Sequence, residues 1–415
     1  LPLKPAAASP EDDVIFDLFH SIGRIDSISP RLNDCDVFNQ FFRQVVLAEK
    51  IGLDTIWVAE SHFSSEVQKQ HPEAVIPHYS GEVGLNCDPM QLAHAVFSRT
   101  ERINFGTAIH NIVGGNGGPI ASADKVRTLA FLNQFNQTPR QLHIGVAQGR
   151  FPFINSPFGI IPRNQTEKTL WNQYKRLIFV EALEIFLRLI RGETIASNSV
   201  SSMEIDARHF RSSDEWQTIC KQMNHNPEVA IAYQPRWQFE VMKLVPELRQ
   251  SDIERLNIVL GSHDPLARDM GMKLWQMDIF NLSFTPTEEI NRVHAEMKLR
   301  CADRPRPWHR SRMPRTVLIF IDRDHKRAFE RASSCFDTYI EAMRGTVGFP
   351  PKEVLMSRAI IGDPTAALEL MKPGGRLGFE KDDRLMLWFE FNQANGEEIE
   401  SQMRLFADKI LPHLS

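Results

Sequence analysis

Eight short apolar runs of strand type, each followed by a segment whose apolar residues recur at helical spacing, constrain this chain more than any other feature of it. The runs begin at Val14, Asp54, Ile103, Gln141, Leu256, Asp278, Thr316 and Arg384. A helix between successive strands carries the chain back to where it started, so the strands lie parallel. Eight such units predict the α/β class and a single (β/α)8 TIM barrel with insertions in its βα loops. An open doubly wound sheet is the competing arrangement. The helical segments carry their own signals. From Asp36 to Ile51 the residues Val37, Phe38, Phe41, Phe42, Val45, Val46 and Ala48 keep one face apolar, and Gly52 stops the helix. Asp88 caps a helix that has Pro89 at its first position. Thr166 to Ile190 reads as one long amphipathic helix, and Asp278 to Phe284 and Arg384 to Phe391 as full strands.

The barrel is expected to occupy residues 14–415. Leu1 to Asp13, rich in Ala and Pro, reads as a loosely ordered leader without the basic-then-apolar order of a signal peptide. Residues 192–255 fit no strand-helix unit and are expected to be an insertion across the barrel top, with Val229 to Tyr233 as an extra strand. The charges narrow the partners. Against 52 Asp plus Glu the 415 residues hold 48 Lys plus Arg, a net charge of −4, with no long basic run, so neither a nucleic acid nor an anionic membrane surface is expected to bind. Cys35, Cys87, Cys220, Cys301 and Cys335 are scattered, which suits reduced cytoplasm and no structural zinc. Leu177 to Ile190, the longest apolar stretch, is broken by Glu181, Glu184 and Arg188 and is too short to span a bilayer. A small-molecule substrate remains the expected partner.

The common nucleotide, serine-hydrolase and zinc signatures are missing. Gly114, Gly115, Gly117 and Gly118 lack phosphate-loop spacing and read as a flexible turn. In a barrel the chemistry lies at the C-terminal ends of the strands. Those positions hold His20, Glu60, Ser61, His62, Ala108, Ile109, His110, Gln148, Arg150, Ser262, His263, Ser283, Asp322, Glu390 and Asn392. They supply imidazoles, hydroxyls and a guanidinium with little acidic clustering, so no metal site is expected and a phosphate-bearing organic cofactor suits them better. The run Gly261-Ser262-His263-Asp264-Pro265, a strand end leading into a helix, is either a phosphate seat or an ordinary helix cap.

Ala48-Glu49 followed by Gly52-Leu53-Asp54-Thr55-Ile56-Trp57-Val58-Ala59-Glu60-Ser61-His62-Phe63 resembles the A-E-x-x-G-F-D-x-x-W-x-x-E-H-H-F stretch of the bacterial luciferase-like flavin monooxygenases. Arg99 to Ala108 is similar to that family's third-strand run, Gly145 to Gly149 to its fourth-strand G-x-x-x-G, and Leu387 to Asn392 with Glu398, Met403, Leu405, Phe406 and Pro412 to its last strand and helix. These matches fall in order from about Val14 to Leu414.

The resemblance implies a monooxygenase in which reduced FMN reacts with O2 to give a C4a-peroxide that oxygenates a small organic substrate. Because the chain has no nicotinamide-binding fingerprint, a separate NAD(P)H:flavin reductase would supply the reduced flavin. By the same resemblance Ala108 and Ile109 flank a non-proline cis peptide beneath the flavin ring, and Ala59, Glu60, Ala147, Gln148, Ser262, Pro265 and Ser283 line ring or phosphate. Two positions depart from the pattern. Ser61 replaces the first of the paired histidines and cannot accept a proton near neutral pH, so His62 either takes over that role or is structural. Gln148 replaces an arginine, for which Arg150 is the candidate substitute. His62, His110 and His20 are the candidate catalytic residues. The loops at residues 64–86 and 151–165 have the length and composition of lids. An F420-dependent dehydrogenase on the same fold and a non-catalytic flavin-binding protein are the alternatives. A homodimer is a further expectation; the apolar face around Phe38, Phe41 and Phe42 is a candidate for its interface, with a core face as the favoured reading of those residues.

Overall fold

The structure, a computed structural model, describes residues 14–28, 30–70, 76, 78–149, 152–344 and 350–414. The expected leader and Arg150 lie outside them. Among the described residues nine strands share one sheet: β1 (Ile15–His20), β2 (Thr55–Val58), β3 (Asn104–Asn111), β4 (Leu142–Ala147), β5 (Leu256–Leu260), β6 (Asp278–Ile279), β7 (Arg315–Ile321), β8 (Ile360–Gly362) and β9 (Arg384–Trp388). Their order is β6-β5-β4-β3-β2-β1-β9-β7-β8. The pairs β1 with β9, β1 with β2, β2 with β3, β7 with β9 and β7 with β8 are all parallel. A parallel bridge between Asn281 and Arg315 also gives the end of β6 a neighbour in β7. The hydrogen-bonded order therefore has the cyclic connectivity of an eight-unit α/β barrel, with β8 as an added strand that the sequence pattern missed.

Helices α1 (Asp34–Lys50), α2 (Pro89–Phe97), α3 (Gly118–Asn133), α4 (Trp171–Ile190), α5 (Pro265–Leu274), α6 (Thr287–Arg300), α7 (His325–Ala342), α8 (Pro364–Met371) and α9 (Gly396–Lys409) alternate with the strands. None is long and apolar enough to cross a membrane among the described residues. Three boundaries differ from the sequence pattern. The long helix is interrupted at Leu170, with a separate Gln165–Thr169 turn in which the Thr169 hydroxyl bonds back to the Gln165 carbonyl at 3.0 Å and competes with the helix ladder. A helix does start inside the glycine cluster, at Gly118, where Gly117 takes φ +86° as its cap. Strand β6 is only two residues long, because the Thr285 hydroxyl accepts the Leu282 N–H at 3.1 Å and folds residues 282–285 into a turn.

The chain divides into two compact units, Leu1–Ala108 with Arg140–His143 and Asp278–Ser415, and Ile109–Pro139 with Ile144–Met277. In the first, the two-residue strand period sends Phe16 of β1 to Phe406 of α9 (5.4 Å) and His20 to Phe41 of α1 (5.1 Å), on the helix-facing side. On the other side, Asp17 is fully buried and accepts from Arg384 Nε at 2.6 Å, Arg384 Nη2 at 3.1 Å, Trp57 Nε1 at 2.7 Å and the Thr55 N–H at 3.2 Å. Such a charge survives burial only because it is paired and bonded. The Trp57 indole needs Gly106 beneath it, since a Cβ there would come within 2.5 Å of the ring. In the second unit, Ile178 to Leu187 of α4 is apolar on nearly every side because it is buried on nearly every side. The expected insertion contributes an antiparallel pair, Glu204–Ile205 with Ile231–Ala232, and a helix over Ser213–Met223.

Candidate active site

In the first unit, Ala59 to His62 follow β2 and are fixed from both sides. The Ala59 N–H bonds to the His20 carbonyl at 3.0 Å, Asn86 Nδ2 donates to the Ala59 carbonyl at 2.9 Å, and the Ser61 N–H donates to the Asn86 carbonyl at 2.9 Å. This loop brings Glu60 and His62 together, with Glu60 Oε1 2.9 Å from His62 Nε2 and the Glu60 side chain 1% exposed. A buried carboxylate on one ring nitrogen fixes the imidazole's orientation and supports a proton on Nε2. The next residue, Phe63, takes φ +64° with its ring about half exposed.

Positive φ recurs at neighbouring strand ends, at Ile22 (+52°) after β1 and Asn392 (+51°) after β9. For a β-branched residue such as Ile22 that conformation is costly and must be imposed by its surroundings. Here the agent is Glu390, whose carboxylate accepts from the Ser21 N–H, the Ser21 hydroxyl at 2.8 Å and Trp388 Nε1. His20 belongs to this cluster: its Nδ1 accepts the Ile22 N–H at 3.0 Å and lies 3.2 Å from Glu390 Oε1. Burial lowers its pKa below the ordinary value, and Glu390 opposes that shift. Because the ring packs on Phe41, His20 supports the loop from the helix side. Ser283 is likewise engaged: its N–H and hydroxyl lie 2.7 and 3.0 Å from Thr316 Oγ1. The expected lid at residues 64–86 is tied down where it is described. Glu82 accepts from the Ser64 hydroxyl and the Ser65 N–H, and Gly81–Glu82 pairs antiparallel with Arg24–Ile25.

The cis peptide expected between Ala108 and Ile109 is a correction. Strand β3 runs continuously through this pair, and the one cis bond among the described residues joins Val245 to Pro246. A trans peptide keeps the extended backbone of the strand, whereas a non-proline cis bond costs about 3 to 4 kcal/mol.

In the second unit, His110 is fully buried and its Nδ1 accepts from Asn116 Nδ2 at 3.2 Å. At the end of β3, Asn111 Nδ2 donates to Asn155 Oδ1 at 2.8 Å, and Asn155 Nδ2 donates to the carbonyl of Gln148, just past β4, at 2.7 Å. Gly149 follows at φ +81°, and a Cβ there would sit 2.6 Å from Asn111 Nδ2, so the backbone can pass only as glycine. Beside this ladder opens a cavity of about 330 Å³ lined by Gln148, Gly149, Asn155, Ser156, Trp171 and Lys175, with Val113, Ile160 and Ile178 completing an apolar wall. No ion pair engages Lys175 among the described residues. Sequence reasoning missed Lys175, because one lysine on an amphipathic helix carries no signal of what it faces.

The run from Gly261 to Pro265 resolves toward the helix cap. Asp264 accepts the Leu266 and Ala267 N–H groups at 2.9 and 3.4 Å, and Ser262 Oγ accepts the Asp264 N–H at 3.1 Å. Arg176 neutralises Asp264 at 2.6 Å. The free N–H groups expected to seat a phosphate at Pro265 are therefore used by the protein's own carboxylate, while the Ser262 hydroxyl still has a proton to donate.

Comparisons with known proteins bear on this geometry. No curated protein matches the sequence. Among solved structures, the monooxygenase RslO1 from Streptomyces bottropensis is 15% identical over 97% of this chain and 100% of that one, with a TM-score of 0.66. The oxygenating constituent of 3,6-diketocamphane monooxygenase from the CAM plasmid of Pseudomonas putida, in complex with FMN, is 12% identical over 97% and 99%, with a TM-score of 0.59. An F420-dependent secondary alcohol dehydrogenase, bound to an F420-acetone adduct, is 12% identical, covers 96% and 98%, and has a TM-score of 0.52. At these identities the structures establish the shared fold. The family model for luciferase-like monooxygenases matches residues 14–380, and the chain belongs to that family.

Proposed function

We propose that this protein is a flavin-dependent monooxygenase that uses reduced FMN and O2 to oxygenate a small organic substrate, with the reduced flavin delivered by a separate NAD(P)H:flavin reductase. The family match over residues 14–380 carries this reading. The donor set of the second unit fits the phosphate end of such a cofactor. Lys175 supplies an uncompensated cation, Gln148 an amide, Ser156 a hydroxyl and Gly149 a backbone unencumbered by a side chain, all on one cavity. When bound, reduced flavin supplies the electrons that activate O2. The chain's own residues orient and protect. Glu60 keeps a proton on His62 Nε2 and fixes the ring, so that the exchange of a proton falls to the other ring nitrogen, Nδ1, which assigns to the pair the role that Ser61 cannot fill. Asn111, Asn155 and the Gln148 carbonyl fix the loop at the cavity rim.

Anaerobic titration with reduced FMN tests the reading, followed by turnover in air with a flavin reductase present. Saturable binding and oxygenated product are expected; absence of binding to any flavin refutes it. The F420-dependent structure on the same fold supports a second reading, hydride transfer with F420. Tighter binding of F420 than of FMN in the same titration would replace the first reading with the second. Tight flavin binding without any turnover would leave a non-catalytic binder.

A further inference from the structure

We propose that the inserted segment from Tyr233 to Trp237 is a latch that sets the wall of the Lys175 cavity, that Arg236 is its positioning residue, and that the cavity so shaped takes the phosphate end of the flavin. The inference rests on the flavin reading above and adds to it the part of the chain that decides the fit. The insertion belongs to no strand-helix unit of the nine-stranded sheet.

Two buried carboxylates anchor the latch. Glu181, on α4, accepts from the Tyr233 hydroxyl at 2.6 Å, from the Arg236 N–H at 2.9 Å and from the Trp237 N–H at 3.3 Å. Glu167, just before α4, is 1% exposed and takes Arg236 Nη2 at 2.6 Å on one oxygen and Arg163 Nε at 2.8 Å on the other. The arginines then exchange across the gap. Arg163, in the loop before α4, donates to the Gln234 and Pro235 carbonyls of the insertion at 2.7 and 3.0 Å. Arg236, in the insertion, donates to the Ile161 carbonyl of that loop at 3.0 Å and lies over the Trp171 ring at 5.6 Å. The planar, always-charged fork makes these contacts at once, which a lysine cannot do.

Ile161, Pro162 and Trp171, the residues Arg236 and Arg163 hold or flank, are cavity wall. Two arginines against two carboxylates leave the latch itself neutral, so among the described residues lining the cavity the cation that remains for a ligand is Lys175. A cavity of about 330 Å³ is of a size for one end of a nucleotide-like cofactor. An unpaired ammonium beside an amide and a hydroxyl selects a dianion over a neutral group.

The test compares FMN with riboflavin, which differ by the phosphate alone, in anaerobic titrations of the full-length protein with each flavin in its reduced form, followed by quenching of tryptophan emission. Wild type is expected to prefer FMN by about tenfold or more. Arg236→Ala is expected to lose that preference while its riboflavin affinity stays within about twofold, and Arg236→Lys to fall between. Lys175→Gln removes the same preference without touching the latch, and so keeps the phosphate assignment testable if the alanine variant does not fold. Equal weakening of both flavins in Arg236→Ala and Arg236→Lys would mark a general structural effect and overturn the latch. Equal wild-type affinity for FMN and riboflavin overturns the phosphate assignment while the flavin reading stands. Binding of neither flavin by wild type overturns both.

Discussion

Replacing Arg384 with methionine tests whether the polar interior of the first unit is held by charge or merely filled by volume. Methionine keeps most of the side-chain bulk but removes the guanidinium that gives Asp17 two of its four hydrogen bonds. The arginine also donates to Thr55 Oγ1 at 2.7 Å and pairs with Asp54. Breaking a buried pair from one side costs about 3 to 5 kcal/mol, because the partner charge is left in a low-dielectric interior. Burial already pushes the Asp17 carboxyl up to about 6, with Arg384 pulling it back. A folded value above the unfolded one means that this group favours the folded state at low pH, and that the advantage is lost as pH rises through the folded value. For wild type, a rise from 3.8 to about 6 corresponds to about 3 kcal/mol lost between roughly pH 4 and pH 6.5. Without Arg384 the carboxyl moves further up, so the variant continues to lose stability above pH 6.5, by about 1.4 kcal/mol per pH unit until Asp17 ionises. Urea unfolding followed by circular dichroism at pH 5 and pH 8 measures both. The gap between wild type and Arg384→Met is expected to be wider at pH 8. A gap below about 1 kcal/mol at pH 8, or one that does not change with pH, would refute the reasoning.

Gly106→Val would drive a side chain into the Trp57 indole, 2.5 Å from the position of its Cβ, and is expected to cost about 3 kcal/mol or more in the same urea assay; unchanged stability would mean that the ring can move aside. Tyr233→Phe removes one donor from Glu181, whose carboxyl burial already raises, so the loss of about 1 to 2 kcal/mol should be full where the carboxyl is ionised and should shrink as the pH falls through its raised value. If the proposed chemistry is right, His62→Asn lowers kcat by about 100-fold with flavin affinity within about twofold, and Glu60→Gln reproduces much of that loss. Full turnover in His62→Asn would remove the pair from the reaction.

Local signals made the elements legible. Asp88 caps α2 as its position before Pro89 indicated, through bonds of 3.1 and 3.2 Å to the Met90 and Gln91 N–H groups. All eight expected strands are present because a buried parallel strand is apolar along most of its length, and that shows in one dimension. Strand β8 leaves no mark in the sequence pattern because three residues are too few for a period. Gly117 and Gly118 read as a flexible turn in the sequence because a glycine cap has no side chain to announce the helix behind it.

Site residues divide in the same way. Residues on one loop, such as Glu60 and His62, are near in sequence and their pairing was within reach of the sequence. Glu390 acts on Ser21, 369 positions away, and Arg236 on Glu167, 69 positions away, so neither role had a local trace. His20 occupied a strand end that invited a catalytic role, but the two-residue period turned its ring toward Phe41.

By itself, then, the order of apolar runs and helical segments determined the fold class, and the motifs around Trp57 and Trp388 determined the family. Tertiary structure alone decided which polar groups meet, which are buried, and which cation is left uncompensated at Lys175. The reason is physical. Periodicity and capping are set by neighbours along the chain, whereas a pairing energy or a desolvation cost depends on distances that exist only after the chain has closed on itself.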